Sequence, residues 1–394
     1  MRLLFVSHSF PPEHAPLSNL GGMQRVAMEL HEQLENREDV VLDDVIMRGS
    51  LRKTQVFGIF FLIKVYREVK RKALNGEMDI VLFSSMATAA MAFFLRKTLE
   101  PLGIPMVAVV HGLDVTMPGI HQRFIGRVFD ALAAVLPVSR ATGAACHERG
   151  MPLDKIHVLP NGVDVSRFAP LTDFDSMRRD MKANLDDPAH PLLPEDALLL
   201  CSVGRQVERK GFAWFVDEVM PLLPEDVHYW MAGDGPEAEN IAAAIDKHDL
   251  HDRVRMLGRV SEEALTLLYR GADLFIMPNI PVEGDMEGFG VVMLEAGLSG
   301  LPTIAARLEG IRDVITEGEN GHLVESGDPW AFSEAIMGYY HSRSALRTAA
   351  LRAAQHTANT FCWAAVAERY VQTLRALLPY TSSKSMNVPA DVAA

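Results

Sequence analysis

Two carboxylates stand out by their spacing to glycines. Glu287 and Glu295 lie eight residues apart around Gly288-Phe289-Gly290, and the apolar run 291–298 that follows has a helical pattern. Gly288 and Gly290 leave backbone N–H groups open to a ligand. Glu295 falls about one and a half turns into the helix, where its carboxylate can aim at a diol. An acid in a first helical turn is also a common capping device, so Glu287 alone decides little. The pair, following a strand that ends Met277-Pro278-Asn279, points to a ligand. Upstream, Val203-Gly204-Arg205 ends another apolar run and leads to Lys210-Gly211. A forked Arg and a point-charge Lys beside glycines suit a diphosphate, and they read equally well as two solvated surface cations. A third place is the loop Ser9-Phe10-Pro11-Pro12 and the Gly21-Gly22 pair at the start of a helix. Gly22 there would let backbone approach a phosphate at the positive helix end, or simply make a tight turn.

The elements that must position these residues alternate along the chain. Strands are expected at 3–7, 80–83, 105–110, 135–138 and 156–159, with helices at 23–34, 86–99 and 123–134. The pattern stops at Pro160-Asn161-Gly162 and gives way to 166–194, rich in Asp and Pro. It restarts with strands at 198–203, 228–232, 254–257, 274–277 and 302–306, and helices at 214–223, 236–248, 261–269 and 291–298. Alternation of this kind predicts an α/β fold with parallel sheets covered on both faces. Two doubly wound units follow: an N-terminal domain over 1–165 and a C-terminal one over 195–357. A final helix over 358–380 is expected to pack back toward the first domain, and 382–394 to fray. Ligands of such sheets sit beyond the carboxyl ends of the strands, where Gly204, Arg205 and Glu287 fall.

Composition narrows the function classes. The chain has 394 residues with 38 Lys plus Arg against 51 Asp plus Glu, a net charge of −13. That balance argues against non-specific nucleic-acid binding, which depends on cations against phosphate. Cys146, Cys201 and Cys362 are scattered, with no C-x-x-C spacing, as in a reduced cytoplasmic protein. The apolar run 3–6 is too short for the core of a secretion signal, and the nearly apolar stretch 80–95 falls short of the ~20 residues a spanning helix needs. A soluble, cytoplasmic chain is expected.

Taken together, the motifs resemble the retaining, glycogen-synthase-like glycosyltransferases of family 4, whose fold is GT-B: two Rossmann-like domains facing a central cleft. The resemblance rests on Glu287 to Glu295, on Gly204-Arg205 through Lys210-Gly211, and on several shorter pieces. These are His111-Gly112, Pro160-Asn161-Gly162-Val163-Asp164, Ala232-Gly233-Asp234-Gly235-Pro236-Glu237 and Glu319-Asn320-Gly321. They occur in family order over 1–380. The family implies that Arg205 and Lys210 hold the donor diphosphate, with Gly22 and Gly204 approaching the same phosphates. Glu295 would hold the ribose. Glu287 and the Gly288-Phe289-Gly290 backbone would hold the transferred sugar, with Leu294 in the same donor-binding run. His111 would face that sugar from the first domain and support the oxocarbenium-like transition state. The nucleophile is then the acceptor hydroxyl, attacking on the face the nucleotide leaves, so the paired-carboxylate logic of glycosidases does not carry over.

One turn departs from the family. Where Gly-Gly-x-Pro-Glu is usual, this chain reads Glu309-Gly310-Ile311-Arg312-Asp313. The insertion Val282-Glu283-Gly284-Asp285-Met286 resembles the phosphatidylinositol mannosyltransferase subset, which puts GDP-mannose ahead of UDP-sugars as donor and a lipid-linked or glycan hydroxyl as acceptor. No cofactor or obligatory metal is expected: Asp173-Phe174-Asp175 lies in the linker and reads as a solvated turn. The segment 48–72 carries eight cations and one acid around the apolar run 56–63. It reads either as an interfacial contact for an anionic membrane or as a core helix with cations outside. Contact would make the protein peripheral at the inner face of the cell membrane. The alternatives to a hexosyltransferase are a sugar-nucleotide 2-epimerase and a non-catalytic module binding sugar nucleotides or glycans.

Overall fold

The computed structural model describes residues 1–11, 22–49, 51–117, 119–167, 173–185 and 193–379. Gly21, Pro12, part of 166–194 and the expected tail 382–394 lie outside the described residues. Two parallel sheets organise the chain. The first orders its strands β2-β1-β3-β4-β5, with β1 Arg2–Phe10, β2 Val41–Arg48, β3 Ile80–Phe83, β4 Met106–Val110 and β5 Ala134–Pro137. The second orders β11-β10-β9-β6-β7-β8, with β6 Leu198–Val203, β7 Val227–Ala232, β8 Val254–Gly258, β9 Leu274–Met277, β10 Thr303–Ala306 and β11 Gly321–Val324. Strand order reverses beside β1 in the first sheet and beside β6 in the second, which is where open α/β sheets leave a crevice at the carboxyl ends. β3, β4, β5, β6, β7, β9 and β10 are buried along their whole length. Central parallel strands covered on both faces read as continuous apolar runs for that reason.

Several local expectations need correcting. Residues 156–159 form no strand; Ile156 makes only an isolated bridge to Val135. Two edge strands, β2 and β11, carry Asp43, Asp44 and His322 and are partly exposed, so their apolar pattern is weak. The expected helix 86–99 is broken into Met86–Ala89 and Ala92–Leu99. That at 123–134 shrinks to Ile125–Phe129, whereas 214–223 falls in an unbroken helical run, Phe212–Leu222, that tightens to a 3-10 turn at Pro221. Inside the polar connector lies a helix, Phe174–Leu185, whose Met177 and Met181 are buried. It packs on the helix Glu262–Gly271, and Arg178 donates to the Gly271 carbonyl at 2.6 Å. Asp173 is the cap of that helix: its Oδ1 accepts from the amides of Asp175 and Ser176, both at 3.1 Å, while Asp175 pairs with Arg347. The Asp-x-Asp pattern is therefore capping chemistry on a helix of the second domain.

The chain returns to the first domain at its end. The helix Arg343–Phe361 stops at Cys362, and Trp363–Ala376 lies on the helix Gly22–Glu35. Trp363 donates its indole N–H to Glu29, Arg375 pairs with Asp39 at 2.8 Å, and Arg37 pairs with Glu368 at 2.8 Å. Val163 and Phe361–Trp363 exchange backbone hydrogen bonds, so the outgoing and returning crossings touch.

The basic segment forms the helix Leu51–Leu74. Phe61, Val65, Val69 and Ala73 recur every four residues and are buried in the first domain's core. The opposite side exposes Phe60 and Ile63 beside Lys64 and Arg67, and the neighbouring helix Ala92–Leu99 exposes Phe93 and Phe94. Arg71 and Lys72 are spent on ion pairs with Glu68 and Asp43. Among the described residues no helix is long and apolar enough to cross a membrane.

Candidate active site

The carboxyl ends of β6, β9 and β10 deliver the candidate residues to one edge of the second sheet. After β6, Gly204 turns with φ at +150° and Arg205 is exposed, with no ion pair among the described residues. The chain then makes a short turn, Glu208–Lys210, that folds Lys210 back over Gly204. Lys210 is buried, and its Nζ lies 2.6 Å from Glu287 Oε2. Arg209 approaches the same oxygen at 3.5 Å and Asp285 at 3.0 Å, and Asn279 Nδ2 donates to Glu287 at 3.2 Å. Burial pushes the Lys210 ammonium down against the pull of Glu287. Burial also raises Glu287, but Lys210 and Arg209 outweigh it and hold the carboxyl below its usual range. The result is an ionised pair kept out of water, affordable only because each partner's charge is matched.

Glu295, in the helix Val292–Leu298, is buried as well. Its Oε1 meets Arg25 Nη1 at 2.5 Å, and its Oε2 accepts from the Tyr269 hydroxyl at 3.1 Å. Arg25 belongs to the helix Gly22–Glu35 of the other domain, and its Nη2 donates to Glu262 at 3.0 Å. Burial, with the Glu295 charge adding, pushes the Tyr269 phenol well above its ordinary value, so it stays a donor.

From the first sheet, His111 follows β4. Its Nε2 lies 2.9 Å from the Ser84 carbonyl, and its amide donates to Asp114 Oδ1 at 2.9 Å. Asp114 Oδ2 accepts from the Met86 amide at 3.1 Å, tying the loops after β3 and β4 together. His8, at the end of β1, lies near this group; burial pushes its imidazole below the usual value, His111 adding and Asp114 opposing. The two domains meet here. A Cβ on Gly112, whose φ is +94°, would stand 2.9 Å from Gly288 Cα, and a Cβ on Gly288 would strike the His111 carbonyl oxygen. Only glycine lets the two backbones come this close.

The structure thus brings His111, Lys210, Glu287 and Glu295 to facing edges of one cleft. Gly22 begins its helix and is exposed. Phe289 is buried against Phe361, so only its backbone faces the loop, and Gly290 packs under Met293. Leu294 is fully buried, and its amide donates to the Val291 carbonyl. Sequence reasoning missed Arg25, Asn279, Arg209, Asp114 and Tyr269. Arg209 was legible, since it adjoins Lys210; Arg25 was not, because its partners lie 237 and 270 residues away.

The fold is that of the GT-B glycosyltransferases: a structure of Anabaena HepE in complex with UDP superposes with a TM-score of 0.72 at 17% identity, covering 95% of this chain and 100% of that one. The family description Glycosyltransferase Family 4 matches residues 20–167 and Glycosyl transferases group 1 matches 197–342. The chain is 33% identical to the lipopolysaccharide core biosynthesis glycosyltransferase LpsD of Rhizobium meliloti over 82% of its own length and 86% of the relative's. It is 26% identical to the GDP-mannose-dependent alpha-(1-6)-phosphatidylinositol monomannoside mannosyltransferase of Mycolicibacterium smegmatis, over 85% and 88%. The chain belongs to glycosyltransferase family 4.

Proposed function

We propose that the protein is a retaining hexosyltransferase acting in glycolipid or polysaccharide biosynthesis. It takes a hexose from a nucleotide diphosphate sugar and gives it to a hydroxyl of a lipid-linked or glycan acceptor. The observation that carries this reading is the buried Lys210–Glu287 pair beside Gly204-Arg205, facing His111 across the Gly112–Gly288 contact. Arg205 and Lys210 neutralise the diphosphate as it leaves, without a metal. Glu287 and the adjoining backbone hold sugar hydroxyls, Glu295 holds the ribose, and His111 supports positive charge on the sugar ring through its carbonyl or imidazole. GDP-mannose is the favoured donor, in keeping with the named activity of the Mycolicibacterium relative; UDP-sugars come second, in keeping with the UDP held by HepE.

A thermal-shift panel of nucleotide sugars tests the donor side. A donor at about 100 times its Kd stabilises by ~2.7 kcal/mol; no shift with any GDP- or UDP-sugar would remove the reading. The lipid-linked acceptor adds a second expectation. Phe60, Ile63, Lys64 and Arg67 face outward on the helix Leu51–Leu74 and dock on an anionic bilayer. Co-sedimentation with anionic vesicles should fall as salt rises, and absence of binding at low salt refutes the docking.

A further inference from the structure

Glu309 occupies the turn at which this chain departs from its family, and its backbone is unusual. Its φ is +44°; Asp249 is the other non-glycine residue with positive φ among the described residues. A side chain is disfavoured in this left-handed region, so its presence asks for a compensating role. The geometry supplies one. Glu309 Oε2 accepts from the Glu287 amide at 2.5 Å, and the amide of Gly310 donates to the Glu287 carbonyl at 3.1 Å. Two consecutive residues of one loop therefore hold both backbone groups of Glu287. Gly310 closes the contact, because a Cβ there would strike the Gly288 carbonyl oxygen. The same turn ends in Asp313, whose carboxylate pairs with Arg140 of the opposite domain and accepts from its amide at 2.6 Å.

We propose that Glu309 is a positioning residue for Glu287: it fixes the direction of that carboxylate through the Glu287 main chain and takes the place of the flexible glycine usual in the family. The proposal rests on the reading of Glu287 as a ligand-holding group. Glu309 touches no sugar itself in this scheme. An ionised acceptor makes a stronger hydrogen bond than a neutral one, so the clamp weakens when Glu309 takes a proton. Burial pushes its carboxyl up, the charges of Glu287 and Asp285 adding while the Glu287 amide and Arg209 oppose, so that weakening begins at milder acidity than for an ordinary glutamate.

The test compares wild type, Glu309→Gln and Glu309→Gly in three measurements: thermal unfolding, amide exchange of the peptide spanning Glu287, and transfer against donor concentration and pH. Glu309→Gly relieves the left-handed backbone but removes the acceptor of the Glu287 amide, so the two effects oppose and thermal unfolding serves to show that the variant is folded. Its Glu287 amide should exchange at least about tenfold faster, and kcat should fall roughly tenfold with little change in KM, as expected for misplacement in the transition state. Glu309→Gln keeps an acceptor oxygen, should restore most of kcat, and should lose the part of the acid limb due to Glu309. Wild-type exchange and kcat in Glu309→Gly would overturn the proposal, as would a glutamine variant no better than the glycine one. Should no nucleotide sugar be turned over by wild type, the transferase reading fails, while amide exchange still decides whether Glu309 holds Glu287.

Discussion

Glu287 is held by its own half of the molecule. Lys210, Arg209, Asn279 and Glu309 all come from loops at the carboxyl ends of the second sheet. Glu295, eight residues further on, takes one hydrogen bond from Tyr269 of that half and an ion pair from Arg25 of the other. The side chains around the first carboxylate come from one domain; those around the second come from both. On the proposed function, the transferred sugar would meet a carboxylate held within one domain, and the ribose one shared between two. Arg25 is paired with Glu295 in this structure, so a ribose bound there as proposed would share or displace that contact.

The sharpest way to break this comparison is Lys210→Ala. Removing one partner of a buried pair costs about 3–5 kcal/mol, read from urea unfolding, and most transfer should go with it. The pH response should also change sign. In wild type the lowered Glu287 carboxyl stabilises the fold fully above its ordinary value of 4.5, and that stability is lost as pH falls through the lower folded value. Without Lys210 burial raises the carboxyl, so the variant recovers stability relative to wild type on acidification. Equal stability of the two proteins at neutral pH would mean that the pair is solvated.

Arg25→Ala should have a smaller and different effect. It removes the ion pair from the buried Glu295, at a cost of about 1–3 kcal/mol, and it should open the cleft, visible as a larger radius of gyration in small-angle scattering. Lys210→Met should leave that radius unchanged; if both variants open the cleft alike, the two carboxylates are not separately held. Arg140→Ala is expected to do least. Its guanidinium is largely exposed, so the pair with Asp313 is worth no more than about 1 kcal/mol and should vanish in high salt.

Much of the fold was legible because central parallel strands are written as unbroken apolar runs: 80–83, 198–203 and 274–277 coincide with observed strands. The edge strands β2 and β11 were not, since solvent on one side admits Asp43, Asp44 and His322. The helix Phe174–Leu185 was hidden by charge, with only Met177 and Met181 turned inward. In the candidate site, residues next to glycine-rich strand ends could be found from local sequence. Arg25 and Tyr269 could not, because their function comes from partners brought together by the two sheets. Glu309 was visible only as a departure from the family; its backbone angle and its bond to Glu287 required coordinates.

The two crossings between the domains, near Val163 and Cys362, run side by side and are hydrogen-bonded to each other. A single connector would let the halves swivel freely; a paired one behaves like a door hung on two adjacent pins, with one soft axis and stiff resistance to twist. Any change in the width of the cleft is then steered along that one axis, which favours keeping His111 in line with Gly288.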